Sequence, residues 1–357
     1  MKPWFEIREK TALIYGEQTW TYEDLEILTE AVGVCVMNAY GVLICPSQDP
    51  LKQLACMLMG LKNQIPVYFG SIEGTEALGK EDLSDHVFLI ATTSGTTGRK
   101  KWVYKKAAQW LNSFKPHGSV FGITEDDVLF VNGSLAYTAN LFSVLQIFHE
   151  GGTVVLSDDK NPKQWMKAMV HHGCTTAFLV PSKLRLLMKA LPDLWPYPIE
   201  IVTAGEVLPV KLFESASKKC LHLRVHHYYG ATELGHISAI RHEALKSNPG
   251  SVGQAFPGVA IEIQQGMIYG KSPYGSSLGS NFESAYDYGY VDEKGYLYVT
   301  GRKDSQINCH GRKFDAMAIV KMVSAKDEVE TCLLVALEDS SGYGLYIHWR
   351  EGVAETA

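Results

Sequence analysis

Positive charge is scarce in this chain of 357 residues: 33 Lys and Arg stand against 39 Asp and Glu, a formal net charge of -6. A balance of that sign argues against a general nucleic-acid partner, because phosphate backbones are gripped mainly by Lys and Arg. The one short basic run, Arg99-Lys100-Lys101, is too small to reverse this. No apolar run approaches the roughly 18 residues that span a bilayer. The opening MKPWFEIREKTALIYG has no apolar core of the kind that marks a signal peptide. The seven cysteines are odd in number and include no CxxC pair, so the expectation is free thiols in a reducing cytoplasm rather than a disulfide framework. Internal repeats and low-complexity segments are also missing.

What remains is the composition of an ordinary globular protein, 46% hydrophobic and 20% charged, in a chain long enough for two or more folding units. Near the start, a short hairpin leads into a helix capped by Thr21. Short apolar runs follow at GVLICP (41–46), IPVYFG (65–70), HVFLIAT (86–92), VLFVNG (128–133), TVVLS (153–157), TTAFLVP (175–181), IEIVTAG (199–205) and LRVHHYYG (223–230). Helical stretches separate several of them, which predicts an α/β architecture of largely parallel strands with ligands at the strands' carboxyl ends. Past about Pro249 the sequence turns Gly- and Pro-rich with alternating strands, which reads as antiparallel β, including a hairpin across 289–304.

Three loops carry chemistry. ATTSGTTGRKKW (91–102) offers hydroxyls, glycines and Lys101, the materials of an anion-binding nest. Its glycines are too close for a Walker A loop, and taken alone such a segment is also an ordinary surface turn. HHYYGATELG (226–235) sets Glu233 beside Thr232, a pairing able to hold Mg²⁺ and meet a phosphate oxygen; an aromatic strand end packed in the core reads equally well. Adjacent His226 and His227 fall on opposite faces of a strand, which argues against a shared metal. The third segment carries Asp287, Arg302, Asp304, Gly311 and Lys313, and its Asp and Arg also fit a surface ion pair worth about 0–1 kcal/mol. A rival signal, GSSLG (275–279), fits the GxSxG elbow of serine hydrolases, with Asp287 and His310 following. Polar turn sequence on both sides of Ser277 does not supply the strand and helix that an elbow requires.

Occurring in this order, SGTTG-x-x-K, YGATE and Asp…GYLYVTGRKD…G resemble the acyl-adenylate-forming (AMP-binding) superfamily, over about Thr21 to Val335. That superfamily includes acyl-CoA synthetases, nonribosomal peptide synthetase adenylation domains and luciferases. The resemblance implies an α/β fold: a large domain, residues 1–303, of stacked and mostly parallel α/β sheets with a β-rich subdomain from about 250. A small truncated α+β domain, 304–357, is expected beyond a hinge at Asp304. It further implies that a carboxylic acid is activated by ATP as acyl-AMP, with release of pyrophosphate. The acyl group then passes to CoA or to the phosphopantetheine of a carrier protein, as in fatty acid metabolism. Thr93, Ser94, Gly95, Thr96, Thr97, Gly98 and Lys101 would grip the ATP phosphates, Thr232 the α-phosphate and Glu233 the Mg²⁺. Gly205, Glu206, Tyr229 and Gly230 would surround the adenine, and Asp287 and Arg302 would hold the ribose. Gly311 and Lys313 would serve the thiol tunnel and nucleotide in the thioester-forming pose.

Departures from the family pattern sharpen these expectations. Lys100 and Trp102 flank Lys101 where Pro and Gly are usual. Tyr137-Thr138 stand at the acyl pocket where amino-acid-activating members carry Phe-Asp, so an aliphatic or aryl acid is expected instead. The last lysine is Lys326, and the family's distal Gly-Lys motif is not seen. That leaves open a chain cut short, a lysine supplied by another chain, or a partner-dependent or non-catalytic binder of ATP, AMP or acyl-adenylate. The leading expectation is an acid–thiol ligase of the acyl-CoA synthetase type.

Overall fold

The protein is described from a computed structural model covering residues 8–30, 35–73, 75, 78, 83, 86–93, 101–192, 195–220, 222–275, 278–302, 306–309, 312–324, 326, 328–336 and 343–349. Each apolar run named above becomes a strand. The largest sheet has nine strands, in the order Gln254–Ala255, Gly235–Ile240, Leu223–Ala231, Ile199–Thr203, Thr176–Phe178, Val128–Asn132, Thr153–Ser157, Thr11–Tyr15 and Gln18–Thr21. Its central run from Leu223–Ala231 to Thr11–Tyr15 is parallel throughout. A second sheet orders Val36–Met37, Leu43–Cys45, Val67–Phe69, Val87–Thr93 and Lys101–Lys106, with parallel pairing in the middle and an antiparallel pair at each edge.

Strand alternation distributes side chains to two cores. Leu129 and Val131 point into a cluster that also takes in Leu43 and Val67 of the second sheet, with Leu54, Trp110 and Phe142 from three helices. Phe130, between them, joins Leu184, Ile201 and Leu212 on the opposite face. The helices Pro50–Asn63, Ala107–Phe121 and Thr138–Glu150 therefore tie the two sheets together. Local signals set their ends. Asp49 caps the first, its Oδ1 accepting from Leu51 N at 2.8 Å ahead of Pro50 at the first position. The other two stop at Gly122 (φ 74°) and Gly151 (φ 90°), left-handed conformations that glycine adopts without steric cost.

Beyond residue 250, four antiparallel strands, Ala260–Gln264, Met267–Lys271, Glu283–Val291 and Leu297–Arg302, make the expected β-rich region. The two-stranded pairs Gln306–Cys309 with Arg312–Asp315 and Val329–Ala336 with Tyr343–Trp349, and the helix Ala316–Ser324, give the last part its α+β character. The helix predicted near the start is a single turn, Leu25–Leu28, with Asp24 accepting from Thr21 N at 2.9 Å just before it. No described helix is long and apolar enough to cross a membrane. Replacing Asp49 with Ala should lower the unfolding free energy in a urea titration by about 1 kcal/mol; an unchanged midpoint would show that Pro50 alone sets the helix start.

Candidate active site

Strands Ile199–Thr203 and Leu223–Ala231 lie side by side and parallel, so their carboxyl ends deliver Gly205 and Gly230 to the same edge of the sheet. The second strand turns at once into Gly235–Ile240 through Ala231-Thr232-Glu233-Leu234, closed by Leu234 N donating to Ala231 O at 3.1 Å. Gly235 ends the turn at φ 68°, with Tyr274 so close that a Cβ there would come within 2.8 Å of it. Thr232 and Glu233 thus occupy the tip of a tight hairpin.

The third segment arrives from the four-stranded sheet. Asp287 and Arg302 are directly opposite one another across its last two strands. Tyr229 Oη donates to Asp287 Oδ2 at 2.5 Å, and Arg302 Nε lies 3.8 Å from Asp287 Oδ1. Burial, with the neighbouring Asp287 charge, holds the Tyr229 hydroxyl well above its ordinary pKa, so it remains a proton donor to that carboxylate. Tyr229 is therefore engaged with Asp287, while the preceding Tyr228, on the other face of the strand, lines the cavity.

One cavity of about 350 Å³ is lined by Gly205, Gly230, Thr232, Glu233, Asp287 and Arg302 together with Thr92, Tyr137 and Thr138. Five segments spread over two hundred residues of sequence meet there. The Tyr137 ring crosses Gly205, where a Cβ would lie 1.6 Å from its hydroxyl; only glycine fits at that point. Glu206 points elsewhere: its carboxylate accepts from Ser182 N at 2.9 Å and Ser182 Oγ at 2.7 Å. There it answers the N–H groups that open helix Pro181–Ala190.

Thr93 and Lys101 are backbone partners at the ends of strands Val87–Thr93 and Lys101–Lys106. Residues Ser94, Gly95, Thr96, Thr97 and Gly98 lie outside the described residues, as do Asp304, His310 and Gly311. Lys313 sits in strand Arg312–Asp315, opposite Asn308. Ser277 is likewise outside the described residues. Gly275 lies in a turn between the antiparallel strands Met267–Lys271 and Glu283–Val291, which is not the strand-to-helix setting of a hydrolase elbow. His226 and His227 go to separate partners, Glu200 for the first and Thr203 for the second.

Sequence reasoning missed Lys105, Gln109, Trp110 and His236, all of which line the cavity. In strand Lys101–Lys106, Trp102 and Tyr104 pack beside Tyr68 on one face, which turns Lys105 to the other. Lys105 is only 3% exposed. Burial pushes its pKa down to about 8, against the pull of the Glu233 and Glu283 carboxylates. His236 is stacked on Phe256 at 4.7 Å and edge-on to Phe142 at 4.8 Å. Burial first, and then the Lys105 charge, drive its pKa down to about 3, and its Nε2 has no partner among the described residues. The signal that would have found Lys105 is the Trp-x-Tyr alternation, which a run of cations disguised.

The depressed Lys105 pKa gives a signed expectation. Below about pH 8 the lysine is charged in both folded and unfolded chains, so the burial cost is felt in full. Between about 8 and the ordinary 10.5 the folded chain has lost a proton that the unfolded chain keeps, and stability rises with pH. Lys105→Met should therefore stabilise the protein more at pH 7 than at pH 10, by about 2 kcal/mol in paired urea titrations. A pH-independent difference would show that the ammonium is not desolvated.

The sequence model of the AMP-binding enzyme family matches residues 49–268, more than half of the chain. An uncharacterized acyl–CoA ligase, YhfT, of Bacillus subtilis (strain 168) is 27% identical over 274 residues, covering 71% of this chain and 57% of that protein. A 2-succinylbenzoate–CoA ligase of Lactococcus lactis is 26% identical over 274 residues, covering 72% and 59%. The chain thus spans somewhat more than half the length of these relatives. Among solved structures, O-succinylbenzoate coenzyme A synthetase of Bacillus subtilis in complex with AMP superposes with a TM-score of 0.79 at 20% identity, covering 98% of this chain and 88% of the other. The fold is thus that of this synthetase, and the chain belongs to the AMP-binding enzyme family.

Proposed function

We propose that the protein activates a small carboxylic acid with ATP, as acyl-AMP, and passes the acyl group to a thiol, with CoA as the acceptor. The observation that carries this reading is the convergence of Gly205, Thr232-Glu233 and the Asp287–Arg302 pair on one cavity. The relatives support it through their own names as CoA ligases.

The described residues fit the nucleotide. Gly205 and Gly230 line the cavity as bare backbone, which leaves room for a base, and both are held to glycine by the protein's own packing, a Cβ at Gly230 coming within 2.4 Å of Gly235 O. Asp287, steadied by Tyr229, leaves acceptor capacity for ribose hydroxyls. The donor set also fits Mg²⁺, which binds through one or two carboxylates and substrate phosphates rather than an all-protein cage. Glu233 is such a carboxylate, and no cluster of three or more ligating side chains occurs among the described residues. When bound, the metal would offset charge on the departing pyrophosphate.

In this reading a carboxylate oxygen of the acid bonds to the α-phosphorus as the bond to pyrophosphate breaks. No proton moves, so the protein's task is positioning and charge stabilisation. Thr232 donates its hydroxyl to the α-phosphate, Arg302 and Asp287 fix the ribose, and residues 94–98 with Lys101 hold the leaving phosphates. The apolar walls at Trp110 and Phe142 keep water from the mixed anhydride. The thiol's attack on the acyl carbon then releases AMP, with Asp304 as the hinge and Gly311 and Lys313 serving the second step.

Acid-dependent exchange of pyrophosphate into ATP tests the reading directly. Exchange is expected with at least one short or aryl acid, and ATP binding without exchange across a broad panel would leave a nucleotide-binding protein instead. Glu233→Gln should reduce turnover at least tenfold, about 1.4 kcal/mol of barrier. Asp287→Ala should raise the KM for ATP about tenfold with a smaller change in kcat, the pattern of lost ground-state binding.

A further inference from the structure

Lys105 is a buried charge that the ligase reading does not use. Its ammonium can donate three hydrogen bonds, yet at 3% exposure it has no hydrogen bond or ion pair among the described residues. Glu233 and Glu283 act on it only through space. An ammonium taken from water without an acceptor is costly, and retaining one on a cavity wall calls for an anion that arrives with the ligand.

The surroundings say which part of the ligand brings it. Gln109, Trp110, Ser113, Phe142 and His236 line the same cavity, and the Lys105 charge acts on both the His236 imidazole and the Glu233 carboxylate. Most polar groups there are already committed. Gln109 Nε2 donates to Gly275 O at 2.7 Å, and Ser113 Oγ donates to Trp110 O at 2.8 Å. The Lys105 ammonium, by contrast, meets its neighbouring carboxylates only through space, and the His236 Nε2 has no hydrogen-bond partner among the described residues. One cation and one imidazole nitrogen, set among aromatic rings, make a poor seat for an aliphatic tail and a good one for a carboxylate.

We propose that the acid activated here is a short dicarboxylate, one carboxylate reacting at the nucleotide and the other held by Lys105. This rests on the ligase reading for the first carboxylate only. A cavity of about 350 Å³, near the lower end of the roughly 300–1,000 Å³ typical of ligand sites and shared with the nucleotide, sets the short length. Lys105 is then a specificity-determining residue: an uncharged end would leave the ammonium unpaired, so monocarboxylates of equal length are discriminated against.

The test uses three matched pairs, succinate with butyrate, glutarate with pentanoate and adipate with hexanoate. Each acid is titrated calorimetrically into the AMP-loaded wild type and Lys105→Met, and the same proteins are assayed for acid-dependent ATP–pyrophosphate exchange. In at least one pair the dicarboxylate should bind the wild type at least tenfold more tightly, and Lys105→Met should abolish that preference. A wild type that favours the monocarboxylate in every pair, or binds no acid, overturns the proposal, as does a preference that survives in Lys105→Met. Equal losses for both acids with a raised KM for ATP would place the ammonium on phosphate and overturn it too. Lys105-dependent dicarboxylate binding without any exchange would sustain Lys105 as the seat of a ligand carboxylate and sink the ligase reading. Exchange with monocarboxylates alone would do the reverse.

Discussion

Parallel hydrogen bonding between strands Ile199–Thr203 and Leu223–Ala231 is the constraint from which the site follows. Two parallel neighbours must end on the same edge, so the loops after them share one space whatever their sequences. That register brings Gly205 and Gly230 to the wall of one cavity. The antiparallel return through Gly235–Ile240 then holds Thr232 and Glu233 at a hairpin tip over the same edge. A slip of one residue between the two strands would move every alternate side chain to the other face, exchanging Tyr228 in the cavity wall for Tyr229.

The other side of the cavity is built by helix Ala107–Phe121, which buries Trp110, Phe114, His117 and Phe121 at helical spacing. Trp110 and Phe114 meet Phe142 with ring centroids 5.4 and 5.2 Å apart, joining helix Thr138–Glu150 to the same wall. Buried aromatic pairs of this kind add about 0.5–1.5 kcal/mol beyond area burial. Such a wall is aromatic and apolar, and a low-dielectric wall gives the few charges at its surface their weight. Lys105 and His236 show the effect from opposite directions. The lysine carries its charge at neutral pH despite burial, and the histidine is held neutral. Placing both in one wall makes a local field that any ligand at that end has to satisfy.

Much of this was legible in the chain itself. Apolar runs of four to seven residues bounded by Gly, Pro and polar segments mark strands because buried parallel strands are apolar on both faces. Val128–Asn132 and Ile199–Thr203 fell where those runs predicted. The hairpin was readable from its Asp-Glu-Lys-Gly turn, but the Asp287–Arg302 pairing was not, because a bulge between Tyr288 and Gly289 shifts the register that the turn sets. Less legible were Glu206, whose carboxylate answers Ser182 across 24 positions, and Tyr229, whose hydroxyl finds Asp287 across 58. Side-chain hydrogen bonds over such distances depend on which loops the sheets bring together, and no local pattern encodes that.

The sequence by itself determined the strand and helix alternation, the helix ends at Asp49, Gly122 and Gly151, and the order of the three segments that contribute to the cavity. These depend on interactions within a few residues: backbone φ, capping acceptors and the period of apolar side chains. Tertiary structure alone decided which polar side chains are spent internally and which are left facing a ligand. Lys105 shows the difference. In the run KWVYKK it reads as one of several solvated cations, because exposure is not a property of a residue or its neighbours in the chain. It is 3% exposed, on the wall of a cavity that Gln109 and Trp110 of helix Ala107–Phe121 and His236 also line, and only tertiary packing turns a common surface charge into a buried one.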